Sequence, residues 1–214
     1  DAWKNLAFAQ YQTGDLAKAL QAAKASVTSD PKSAAARKIL AAIYLKQSTR
    51  EPLNAQAHCE EAAKALDFSL KNISAFDGEA LINFALAERC VGGSLRKAGQ
   101  SGVAQGWLQQ AEKSLLKAIE VEPETCISYL HLGELRYDDL EKKDAGVKSF
   151  EEALQCCEKS GKKDKVLGLT LFKLGTYGVE KGDRASGKKY LCRFLALPPI
   201  ARDPNNEQFR ARAK

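Results

Sequence analysis

Three glycine-terminated segments, WKNLAFAQYQTG ending at Gly14, LINFALAERCVGG reaching Gly92 and FKLGTYGVEKG ending at Gly182, superpose on one frame. Each carries a bulky residue, a small residue and a terminal glycine. YLHLGELRY, from Tyr129, fits the same frame with Gly133 in the small slot. Such internal repetition constrains the chain strongly, because one helical hairpin cannot bury its own apolar stripe and must stack on a neighbour. Each repeated segment is followed by a second predicted helix, at 16–28, 111–121, 145–157 and 185–197. Pro31 and Pro123 stand where a second helix must stop and the chain turn into the next unit. Ala19, Ala111 and Ala153 fall where the two helices of a unit must approach closely.

Composition agrees with an all-α chain. Gly and Pro number only 15 and 6 of 214 residues, and Ala, Leu, Lys and Glu dominate. No apolar run approaches the roughly 18 to 20 residues that span a bilayer. The chain opens inside a predicted helix and contains no Met, which reads as a processed or excised piece whose targeting signal is not visible. The six cysteines lack CxxC spacing, and Cys156 and Cys157 project about 100° apart on a helix. They read mostly as buried thiols, which points to a reducing compartment and a cytoplasmic location. The formal charge is +6, with Lys159 to Lys214 strongly basic and the chain before it slightly acidic. That asymmetry reads as a solvated face and tail, or as a surface for an acidic segment of a partner.

The frame resembles the tetratricopeptide repeat, a 34-residue helix pair with a small residue in each helix and a terminal proline. The match is close in the first unit, through Trp3, Leu6, Ala7, Gly14, Ala19 and Pro31, and in the fourth, through Tyr129, Leu132 and Gly133. The resemblance implies an all-α, right-handed α-α superhelix. One array then fills residues 1–214, with units at 1–33, 34–70, 74–124, 125–164 and 165–199 and a capping helix in 200–214. Two departures stand out: the polar insertion QSTREPLN in the second unit, and GGSLRKAGQSGVAQG in the third, expected as a long connection that is functional or mobile.

In such an array the first helices line the concave side, and residues facing neither partner helix nor neighbouring unit are left for a ligand. By this frame the groove holds Lys4, Asn5, Phe8, Tyr11 and Gln12; Lys38 and Leu45; Asn83, Leu86 and Arg89; His131, Glu134 and Tyr137; and Lys173. Asn5 and Asn83 occupy the same repeat position, followed there by His131 and Lys173. A side-chain amide donates and accepts at once, as a peptide backbone does, and some members of the family use asparagines here for that purpose. Another family mode grips a terminal carboxylate; Lys4 matches one of its lysines, but Phe8 and Ile39 stand where it needs asparagines.

Neither His58 nor His131 has a nucleophile placed beside it, and no phosphate-loop, dinucleotide, HExxH or EF-hand pattern occurs. The expectation is therefore a non-enzymatic scaffold or adaptor that holds an extended peptide or helix of a partner protein, with no cofactor, metal or small-molecule substrate. The alternative is a pilotin-like bacterial outer-membrane lipoprotein assisting type IV pilus secretin assembly. RNA reading is disfavoured, because the groove lacks a repeated pair of base-reading residues.

Overall fold

The computed structural model describes residues 2–72, 77–161 and 165–198; the capping segment expected at 200–214 lies outside them. Ten α-helices and no strand occur among the described residues. They are α1 Ala2–Thr13, α2 Leu16–Ser29, α3 Ala34–Arg50, α4 Ala55–Asn72, α5 Gly78–Lys97, α6 Ser101–Val121, α7 Cys126–Glu134, α8 Lys143–Ser160, α9 Lys165–Glu180 and α10 Arg184–Ala196. They form five successive pairs in two compact units, Asp1–Val121 and Glu122–Lys214. No described helix is long and apolar enough to cross a membrane.

The turns inside the first and last pairs use one device. Gly14 and Gly182 adopt φ of +83° and +81°, where a side chain is strained. The next residue, Asp15 or Asp183, then accepts the backbone N–H of Lys18 or Ser186 and so starts the second helix. Ser33 and Asp77 cap α3 and α5 in the same way, through the N–H groups of Ala36 and Ala80.

In the first unit α1 packs on α2 and α3, α3 on α4, and α4 and α6 on α5. Ala7, Ala19, Ala23, Ala41 and Ala62 are fully buried around Ile43 and Leu66. Small side chains at these crossings let helix backbones close to short range, as the repeat frame requires. In the second unit α8 packs on α7 and α9, and α9 on α10, around Leu130, Phe150, Leu171 and Phe194. Gly133 leaves room for the Phe150 ring, and at Gly178 an added Cβ would lie 2.7 Å from the Gly187 backbone. After Glu134 the α7 backbone widens into a π-helical turn, Leu135–Asp139, in which the N–H of Leu140 reaches the carbonyl of Leu135 at 2.9 Å.

The glycine-rich stretch at 92–106 is not a long connection: α5 continues to Lys97, α6 starts at Ser101, and the turn is made at Gly99, φ +79°. Gly92 is therefore no terminator. It lies inside α5, where an added Cβ would sit 2.8 Å from Leu108 of α6. In the second unit of the frame the insertion is also partly helical, since α3 runs to Arg50 and a 3₁₀ turn occupies Pro52–Asn54. Of the residues that match the frame in α1, Ala7 is fully buried while Trp3 and Leu6 are 50% and 43% exposed.

The cysteines differ most from expectation. Cys59 of α4 is bonded to Cys90 of α5, and Cys126 of α7 to Cys156 of α8, with Cα separations of 5.9 and 5.4 Å. Cys157, buried, and Cys192, exposed, form no disulfide. No local spacing marks the bridges, because each joins two helices that tertiary packing, not sequence proximity, brings together.

Candidate functional site

The first helices of three pairs, α1, α3 and α5, pack side by side and wall a groove of about 490 Å³. From α1 come Lys4, Asn5, Phe8, Tyr11 and Gln12, from α3 Ala35, Lys38, Ile39 and Ala42, and from α5 Glu79 and Asn83. Seven of the residues expected in the groove are thus brought together here. The 3.6-residue period puts 4, 5, 8, 11 and 12 on one helix face, and the 34-residue repeat puts Lys4 and Lys38 at equivalent places on neighbouring helices.

The polar groups of this groove divide into two sets. The amides of Asn5 and Asn83, the amide of Gln12 and the hydroxyl of Tyr11 have no hydrogen-bond partner among the described residues. Lys38, in contrast, donates to Asp77 and, at 3.2 Å, to Glu79. Burial opposes its charge, but the two carboxylates outweigh burial and hold the ammonium above its ordinary value. Burial likewise pushes the Asp77 carboxyl up, while Lys38 and the Ala80 N–H together hold it below the usual range. Helical period alone places Lys38 in the groove but not its partners, because Asp77 and Glu79 lie some forty residues away, at the start of α5. Phe8 is half open to solvent, and Ile39 and Ala42 continue that apolar strip across α3.

Leu45, Leu86 and Arg89 do not line this groove. Leu45 packs against the cores around Ala41 and around Cys59, and Leu86 against Leu81, Ile82 and Ala118. Arg89 is half-buried and engaged within the protein.

The second unit has a groove of its own between the α7 π-turn and α9. It is lined by Glu134, Tyr137, Asp138, Phe172, Lys173 and Glu180, among others. Its polar groups are internally satisfied. Lys173 donates to Asp138 at 2.8 Å, the Tyr137 hydroxyl donates to Glu180, and His131 Nδ1 lies 3.2 Å from Glu134. Burial first, then the Glu180 carboxylate, raises the Tyr137 hydroxyl above its ordinary value and keeps it a donor. The Tyr137 ring meets Tyr177 edge-on at 5.6 Å, with Lys143 over its face. His131 itself stands outside the lining.

Each histidine meets a carboxylate, His131 that of Glu134 and His58 that of Glu51. His58 meets Glu51 at 3.0 Å and stacks on Tyr44, and its neighbour Cys59 is disulfide-bonded and offers no thiolate. No group of three or more potential metal ligands occurs among the described residues.

No protein-family model matches the sequence, and no curated protein does. Solved structures do match in fold. TTC0263, a thermophilic TPR protein of Thermus thermophilus, superposes with a TM-score of 0.67 at 17% identity, over 99% of this chain and 95% of that one. MamA superposes with a TM-score of 0.58 at 18% identity, over 99% and 93%. YrrB, a TPR protein with an unusual peptide-binding site, gives 0.54 at 15% identity, over 98% and 90%. Five consecutive helix pairs with alanine or glycine at their crossings, together with these likenesses, show that the chain has the tetratricopeptide-repeat fold.

Proposed function

We propose that the protein is a non-enzymatic interaction scaffold that holds an extended segment of a partner protein in the groove of α1, α3 and α5. The observation that carries this is the row of unpartnered polar side chains, Asn5, Tyr11, Gln12 and Asn83, beside the apolar strip of Phe8, Ile39 and Ala42. Such amides pair with a peptide backbone, and the strip receives alternate side chains. Three helices about 10 Å apart span the length of about six extended residues. The second-unit groove supports this role less well, since its polar groups already bond one another.

The TPR fold of the likenesses supports a scaffold, and the peptide-binding site of YrrB is a property of that protein. Two disulfides also remove the basis for a cytoplasmic location and favour an oxidising compartment.

The test is selection of binding peptides from a random display library on the whole immobilised chain. Affinity of the selected peptides is then measured on Asn5→Ala/Asn83→Ala, with the fold checked by circular dichroism. A loss of about 1 to 3 kcal/mol is expected if each amide bonds backbone. Equal affinity for the folded double variant would remove the groove from the account.

A further inference from the structure

The groove contains a lysine that is already answered from within. Lys38 stands at the repeat position of Lys4, where a free ammonium would draw an acidic ligand, yet it is bound by two carboxylates of the same unit. Asp77 is not a casual partner. It is also the N-cap of α5, accepting the Ala80 N–H at 3.2 Å, so the helix start fixes its place beside Lys38. Glu79, in the first turn of α5, lines the groove itself and is the more exposed of the two. With Asp77 counted, two lysines meet two carboxylates and the groove is formally neutral.

From this we infer that the groove selects uncharged extended segments and discriminates against acidic ones, with Asp77 and Glu79 as the specificity-determining residues. The inference rests on the peptide-binding reading above. An incoming carboxylate reaches Lys38 only by displacing Asp77 or Glu79, and it then faces the displaced charge at close range. Like charges so placed act as the repulsive element of a specific site. An uncharged segment meets no such opposition and gains the amides of Asn5 and Asn83.

The probes are two synthetic hexapeptide mixtures added to the whole chain. One is uncharged, with acetylated and amidated ends; the other has the same residues with alternate glutamates and a free carboxylate. Binding is read from the side-chain amide NMR signals of Asn5 and Asn83. The uncharged mixture is expected to bind about tenfold more tightly, with little change when salt is raised several-fold. Asp77→Asn/Glu79→Gln keeps a good cap at α5 and releases Lys38, so it should raise affinity for the acidic mixture about fivefold or more. Equal or tighter binding of the acidic mixture by the unaltered chain overturns the selectivity while leaving peptide binding standing. So does a double variant that gains nothing. If neither mixture moves the two amide signals, the peptide-binding reading itself fails, and the selectivity with it.

Discussion

Glu88 is a carboxyl group in the wrong place for a charge. It lies on α5, 1% exposed, facing α6, where Ser114 donates to it at 2.8 Å. Burial raises its pKa from 4.5 to about 7; the Ser114 hydrogen bond works against that rise, and the nearby Asp67 charge on α4 adds to it. A folded value above the unfolded one means that the neutral acid stabilises the fold below pH 4.5, and that this contribution is lost as pH rises through 7. A rise of this size corresponds to about 3 kcal/mol, as an order of magnitude. Glu88→Gln keeps the shape and the Ser114 partner but does not ionise. The variant should therefore match the parent near pH 5 and exceed it by about 2 to 3 kcal/mol near pH 8. Both tryptophans, Trp3 and Trp107, lie in the first unit, so fluorescence during urea unfolding follows this unit alone. A parent-minus-variant difference that stays flat from about pH 5 to 8 would refute the reasoning, as would an NMR titration placing the Glu88 carboxyl near its ordinary value.

The bridges and the close crossings are open to equally direct tests. Cys59→Ser/Cys90→Ser opens a loop with a sequence separation of 31; by loop-closure entropy the first unit should lose about 3 to 4 kcal/mol, read by the same fluorescence. Gly178→Ala puts a methyl group against the Gly187 backbone and should cost about 1 to 3 kcal/mol or more, seen as faster amide hydrogen exchange across α9 and α10. Asp77→Ala removes the α5 cap and should cost about 1 kcal/mol near neutral pH in urea unfolding. Because the folded Asp77 pKa lies below 3.8, that cost should fade as pH falls through the folded value.

The helix pairs were legible because the frame is a packing rule written in side-chain size: Ala7, Ala19, Ala111 and Ala153 are wholly buried where the repeat demands small residues. The groove of the first unit was legible for the same reason, since a helical face is a matter of period. What escaped were relations across pairs. Lys38 looked available because its carboxylates come from another helix, Glu88 because a charged letter in a helix is usually solvated, and the bridged cysteines because no local spacing marks them. Gly92 misled in a different way: a glycine that ends a helix and one that admits Leu108 against its backbone look alike until the neighbouring helix is in place.

The two bridges differ in what they join, and the difference becomes mechanical when the chain is pulled from its ends. Cys126–Cys156 closes a single hairpin, α7 with α8, so that pair cannot extend although its neighbour can peel away. Cys59–Cys90 ties the second pair to the third and withholds about 100 Å of contour from extension. Under tension, α4 and α5 must yield together, and the groove wall formed by α5 is held to its neighbour after the first pair has given way.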